Sequence, residues 1–174
     1  NTYVVYDEVT KNGILIDPSF SPERIAQAIS KYDVKIEKIV LTHAHIDHIA
    51  GLNYVREKYP EAPVYMNKKD LPAMSDSVRN LSYMMPDPVV CEPADEYVVQ
   101  GDHIQVDSID FKVIETPGHT PGSISLYAEK EGLLFDGDCL FEGSVGRTDF
   151  PGGSMTTLVG SIRRELFTLP DDVQ

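Results

Sequence analysis

Apolar positions recur along this chain with two periods. A period of two, carried by β-branched and aromatic residues, marks NTYVVY (1–6) and GILID (13–17), and the polar DEVTKN between them predicts a hairpin. SPERIAQAISKY (21–32) changes to helical spacing, with Ser21 as N-cap, Pro22 at the first helical position and Ile25, Ala28, Ile29 and Tyr32 on one face. KIEKIVLTHAH (35–45) alternates and then turns apolar, as a buried strand does, and DHIAGLNYVREKY (47–59) carries helical spacing through Leu52, Val55 and Tyr59. APVYM (62–66) reads as a short strand, and KKDLPAMSDSVRNLSYMMPDP (68–88) as an irregular or helical region broken by prolines. HIQV (103–106), DFKVIET (110–116), SISLYA (123–128) and GLLFDG (132–137) are successive strands. A last helix is predicted over SMTTLVGSIRRELFTL (154–169), capped by Ser154, with Leu158, Ile162, Leu166 and Leu169 along one stripe. Strands mixed with helices predict a sheet-rich core with helices outside it.

Composition narrows the function classes. At 174 residues and 41% hydrophobic, the chain suits one domain over residues 1–174 with a sizeable core. A formal charge of −13 without a basic patch argues against nucleic-acid and anionic-membrane partners. No apolar run approaches the roughly 20 residues of a membrane span. With only Cys91 and Cys139 there is no disulfide framework, so the expectation is a soluble cytoplasmic protein. The chain opens without Met in a strand-like stretch and stops at LPDDVQ just after a helix, so further residues are expected at both ends.

THAHIDHIAG (42–51) holds three of the five histidines. In an extended strand, residues two apart point to the same side, so His43 and His45 project together, and Asp47 and His48 follow where a helix starts. A single histidine is commonly a satisfied polar residue and an aspartate at a helix start is commonly a cap. Four such groups crowded together without partners cost about 1 to 3 kcal/mol each, whereas imidazole and carboxylate are good ligands for zinc and similar divalent ions. Two further strand ends offer donors: His119 beyond the Pro-Gly turn of VIETPGHTPGS (113–123), and Asp136 and Asp138 in LLFDGDCLF (133–141).

T-H-A-H-I-D-H, T-P-G-H-T-P-G-S and G-D-C-L-F together resemble the metallo-β-lactamase superfamily, and the match runs through nearly the whole chain in the superfamily's order. The string FEGSVGRTDFPGGS followed by SIRRELFTLPDD is similar to small hydroxyacylglutathione hydrolase-like proteins, relatives of glyoxalase II. The resemblance implies an α/β (α+β) fold, a four-layer αββα sandwich with metals at strand ends. It implies His43, His45 and His119 as ligands of a first metal, Asp47 and His48 as ligands of a second, Asp138 as a bridge, and Asp136 as a turn residue. Two zinc ions are expected in the complete protein, with iron or manganese as alternatives. The family's last ligand is a histidine in a P-G-H-G segment, expected here beyond Gln174.

Such a ligand set implies a hydroxide nucleophile at neutral pH, a polarised carbonyl, and Asp47 as the catalytic residue that orients the hydroxide. Acyl-thioester hydrolysis is therefore expected, with a small-molecule thioester as partner and the glutathione-type carrier implied by the resemblance alone. The alternatives are a mononuclear iron persulfide dioxygenase using His43, His119 and Asp138, and a lactonase or β-lactamase. Arg147 and Asp149 are expected to pair and hold their loop, Cys139 to be a buried thiol, His103 to be solvated, and Lys68, Lys69 and Arg79 to form a solvated face.

Overall fold

The computed structural model describes all of residues 1–174. β1 (Tyr3–Tyr6) and β2 (Asn12–Ile16) form the expected antiparallel hairpin, Tyr3 opposite Ile16. Helix α1 (Pro22–Lys31) returns the chain so that β3 (Lys35–Val40) lies parallel to β2. Two short helices follow, α2 (Ile46–Ile49) and α3 (Leu52–Lys58), before β4 (Val64–Met66) adds parallel to β3. Beyond α4 (Leu71–Ser75), β5 (Glu96–Tyr97) closes a five-stranded sheet of order β1-β2-β3-β4-β5. The second sheet is an antiparallel meander of β6 (His103–Val106), β7 (Ile109–Glu115), β8 (Ile124–Ala128) and β9 (Leu133–Phe135). A small hairpin, β10 (Leu140–Phe141) with β11 (Ser144–Val145), precedes the last helix, α5 (Met155–Ser161).

Three apolar cores separate four layers. Leu15, Ile29, Ile39, Leu52 and Val55 fill the space between the first sheet and its helices. Ile14, Ile16, Val40, Phe111, Val113, Ile124 and Leu126 fill the space between the two sheets. Ile114, Tyr127, Leu158, Ile162 and Leu166 bind α5 and the turn after it to the second sheet. Neighbouring residues such as Leu15 and Ile16, or Leu126 and Tyr127, serve opposite faces, as a period of two requires. This is the expected αββα sandwich.

Several local expectations change. Ser21 sits at the N-cap of α1 but adopts a left-handed backbone with φ 61° and makes no side-chain cap bond. Ala26, not Ala28, is buried beside Ile29, and Tyr32 is exposed, because α1 docks on a face turned about one residue from the expected one. β3 ends at Val40, so His43 and His45 lie in the loop beyond it rather than on the strand. The register of β3 slips between Ile36 and Lys38, which explains why Ile36 and Ile39 share a face despite their odd spacing. The helix expected over 47–59 breaks between Ile49 and Leu52, where Gly51 N donates to Pro18 O at 2.8 Å. The last helix keeps its Ser154 cap, on Thr157 N, but continues from Ile162 to Leu166 in wider π turns.

Candidate metal centre

Four loops bring the chemistry together above the ends of β2, β3, β7 and β9. Donor atoms of His43, His45 and His119 lie within 4.8 Å of one another, as do those of His43, His48 and Asp138. All four imidazoles are buried. Asp138 is turned so that Oδ1 lies 3.4 Å from His48 Nε2 and Oδ2 lies 3.5 Å from His119 Nε2, one oxygen toward each group. Asp47 joins neither group: its carboxylate is half exposed, with Oδ2 3.6 Å from His48 Nε2. Asp136 serves its own turn, accepting from Leu140 N at 2.9 Å, and burial beside Asp138 raises its pKa to about 6.

Glycines permit these approaches at two points. Gly118, just before His119, has φ 137°, and a Cβ there meets the backbone of Leu158. Gly137, just before Asp138, has φ 59°, and a Cβ there lies 2.5 Å from Thr42 Oγ1.

Two buried aspartates that the sequence reading passed over hold the loops. Asp17, at the end of β2, accepts from Thr42 N at 2.7 Å, from Thr42 Oγ1 at 2.6 Å, and meets His48 Nδ1 at 2.8 Å. Asp70 accepts from Gly122 N at 2.6 Å, Thr120 Oγ1 at 2.7 Å and Ala44 N at 3.3 Å, tying the His43–His45 loop to the His119 loop. Burial holds the Asp70 carboxyl above its ordinary pKa, against these donors. The one sequence signal for Asp17 was an acid closing an apolar strand; Asp70 had none, since its partners are distant in the chain.

Electrostatics divide the site. Burial, then the neighbouring imidazoles, holds His43 well below its ordinary pKa, and burial with His119 lowers His45 to about 3. His48 is different. Burial opposes its charge, but the carboxylates of Asp138 and Asp17 outweigh that and raise it to about 10, while Asp138 is lowered in return. His119 Nδ1 donates to Arg147 O at 2.7 Å, which leaves Nε2 as an electron-pair donor, 2.8 Å from His45 Nδ1. His43 Nε2 and His48 Nε2 are buried and make no hydrogen bond. Orphaned, converging imidazole nitrogens beside a carboxylate are the donor set that a borderline divalent cation satisfies, so the residues present fit such an ion.

The chain belongs to the metallo-beta-lactamase superfamily, whose family model matches residues 1–174. An uncharacterized protein of Aquifex aeolicus is 41% identical over 172 residues, covering 99% of this chain and 80% of that one. Hydroxyacylglutathione hydrolase GloC of Haemophilus influenzae is 32% identical, covering 99% and 82%. Human mitochondrial persulfide dioxygenase ETHE1 is 31% identical, covering 98% of this chain and 60% of its own length. Among solved structures, BLEG-1 B3 metallo-beta-lactamase superposes with a TM-score of 0.91 at 36% identity, covering 98% and 81%. TTHA1623 in a di-iron-bound form superposes with a TM-score of 0.83 at 32% identity, covering 98% and 82%.

The remaining expectations can be placed. Arg147 and Asp149 form a bidentate pair at 3.0 and 2.8 Å, as expected for a loop brace, and the guanidinium also lies 4.3 Å from the Phe150 ring centre. Phe150 in turn sits edge-on to His45, ring centres 5.6 Å apart, and covers that side of the histidines. Cys139 is buried and its thiol is pushed up to about 12, by burial first and Asp136 second. His103 is half exposed and pairs with Asp110. Lys69 pairs with Glu115 at 2.8 Å and Arg79 with Asp76 at 3.4 Å. No helix is long and apolar enough to cross a membrane.

Proposed function

We propose that the protein is a metal-dependent hydrolase of acyl thioesters, with hydroxyacylglutathiones or related small thioesters as substrates. The observation that carries the reading is the convergence of four buried imidazoles about Asp138, with His43 Nε2 and His48 Nε2 making no hydrogen bond. The similarity to hydroxyacylglutathione hydrolase GloC supports the choice of substrate. His43, His45 and His119 would hold one cation, His48 and Asp47 would serve a second, and Asp138 has an oxygen toward each. Zinc fits this nitrogen-rich set, and iron is the alternative that a di-iron-bound relative keeps open. When bound, such cations supply water activation at neutral pH and polarisation of the substrate carbonyl.

The chain's own residues do the rest. Asp47, exposed beside His48, is the acceptor that orients the attacking water and takes up its proton. Asp17 fixes the ring of His48 through Nδ1, and Arg147 O fixes the tautomer of His119. Phe150 excludes water from one side of the histidines. The thiolate of a thioester leaves readily, so no dedicated general acid is required. Zinc-loaded protein is expected to release free thiol from S-D-lactoylglutathione without consuming oxygen. No thiol release from any small thioester by protein loaded with zinc, iron or manganese defeats the reading.

A second reading, persulfide dioxygenase with a single iron on His43, His119 and Asp138, draws on the 3.5 Å approach of Asp138 Oδ2 to His119 Nε2 and on the similarity to the human dioxygenase. Oxygen uptake with glutathione persulfide, in place of thiol release, selects it.

A further inference from the structure

Beside the histidines runs an open groove of about 540 Å³. One wall is the segment after α4, contributing Val78, Leu81, Tyr83 and Met84; the other is Phe150 and Pro151, with the Arg147–Asp149 pair at the rim. Apolar side chains on this wall are held out in water. Val78 and Tyr83 are each 54% exposed and Met84 is 78% exposed, within seven residues of one another.

The wall is nonetheless rigidly mounted. Asn80 is fully buried, donates to Val89 O at 2.9 Å and accepts from Ser82 N at 2.9 Å. Asp76 accepts from Val78 N at 2.9 Å. Leu81 has φ 67°, a conformation that a branched side chain seldom adopts. Ile46 N donates to Asn80 O at 2.8 Å, so the wall is bonded to the first residue of α2, which carries Asp47 and His48. On the opposite side, Phe150 belongs to both the groove and the cover over His45 and His119, ring centres 5.6 and 6.5 Å away. The groove therefore adjoins the histidines across the single ring of Phe150.

We propose that this groove is an acyl-chain site, and that the substrates are thioesters whose acyl group is a medium-length apolar chain. The inference rests on the thioesterase reading and narrows its acyl half. Its volume falls in the range of small-molecule sites, and its lining is apolar with a few polar groups at the edge. Two other cavities at the site suit an apolar chain less well: one, of about 210 Å³, is bordered by the carboxylates of Asp17, Asp136 and Asp138, and one beside His45 holds only about 20 Å³.

The test compares acetyl-, butanoyl-, hexanoyl- and octanoyl-glutathione as substrates of the metal-loaded protein, and follows S-octylglutathione binding through ¹³C-methyl methionine signals. kcat/KM is expected to rise up to about threefold per added methylene. Met84→Ser and Val78→Ser should flatten that rise by lowering octanoyl-glutathione turnover several-fold more than acetyl-glutathione turnover, whereas Phe141→Ser, in the 210 Å³ cavity, should leave the rise intact. The Met84 methyl signal, assigned by Met84→Leu, should move with S-octylglutathione but not with glutathione, while the buried Met66 and Met74 stay still. A flat series, a rise abolished by Phe141→Ser alone, or an unmoved Met84 signal at millimolar S-octylglutathione overturns the proposal. Failure of the thioesterase reading has a different signature: no thiol release from any of the four esters while the Met84 signal still responds.

Discussion

The two halves of the candidate metal centre share His43 but are built on opposite principles. His43, His45 and His119 form a buried, all-imidazole group covered by Phe150, in which burial lowers the pKa of His43 and His45. His43, His48 and Asp138 form a wetter group, with Asp47 at its exposed edge, and two carboxylates approach the His48 imidazole. Buried aspartates brace both: Asp70 ties the loops of the first, while Asp17 holds the ring of His48 and, through Thr42, the start of the His43 loop. The difference teaches that neighbouring cation positions need not be equivalent. Buried His43, whose Nε2 makes no hydrogen bond, has the most to gain from a cation. A carboxylate-paired imidazolium must first give up a proton, so the second position should be the weaker and more exchangeable one.

Three measurements break or sharpen that contrast. The largest effect is expected from His119→Ala, which removes a proposed ligand from the all-imidazole group. It should empty the first position and lower kcat/KM by about a thousandfold or more, read by elemental analysis and thioester hydrolysis. Retention of metal and of a tenth of the activity would contradict the first group's primacy.

Next is Asp70→Ala, which strands the Ala44 and Gly122 amides and the Thr120 hydroxyl in a buried pocket. It should destabilise the metal-free protein by about 3 kcal/mol, a fall in Tm of about 6 to 12 °C for a chain of this length. An unchanged melting curve would show that the two loops do not depend on this carboxylate.

The smallest effect is expected from Asp17→Asn. Asparagine still accepts from Thr42 N but presents an amide where Thr42 Oγ1 and His48 Nδ1 met a carboxylate oxygen. Affinity for the second cation should fall about 10- to 100-fold and the first, reached only through Thr42 and His43, should weaken less, as isothermal titration would resolve. Equal weakening of both positions would mean that the halves act as one unit.

The candidate centre was largely legible in the chain because its donors are clustered in sequence: His43, His45 and His48 within six positions, and His119 and Asp138 each after a glycine turn. Strands with strong alternation, such as β7 and β8, were legible for the same reason, since period two is a local property. The two-residue strands β5, β10 and β11 were not, being too short to show a period. Asp47 looked equivalent to its histidine neighbours, yet helix α2 turns it outward into solvent.

What the sequence determined by itself was therefore the inventory: which residue types carry the chemistry, where the chain turns, and which stripes are apolar. Tertiary structure decided the rest. Whether Asp17 and Asp70 are surface acids or buried braces depends on Thr42, His48, Thr120 and Gly122, which stand 25 to 52 positions away along the chain. Whether Val78 and Met84 join a core or line an open groove depends on Asn80 reaching Ile46 and on Phe150 arriving from the far end. Periodicity records which face of an element is apolar; only the packing of distant elements decides what that face meets, because burial and hydrogen bonding are set by neighbours in space.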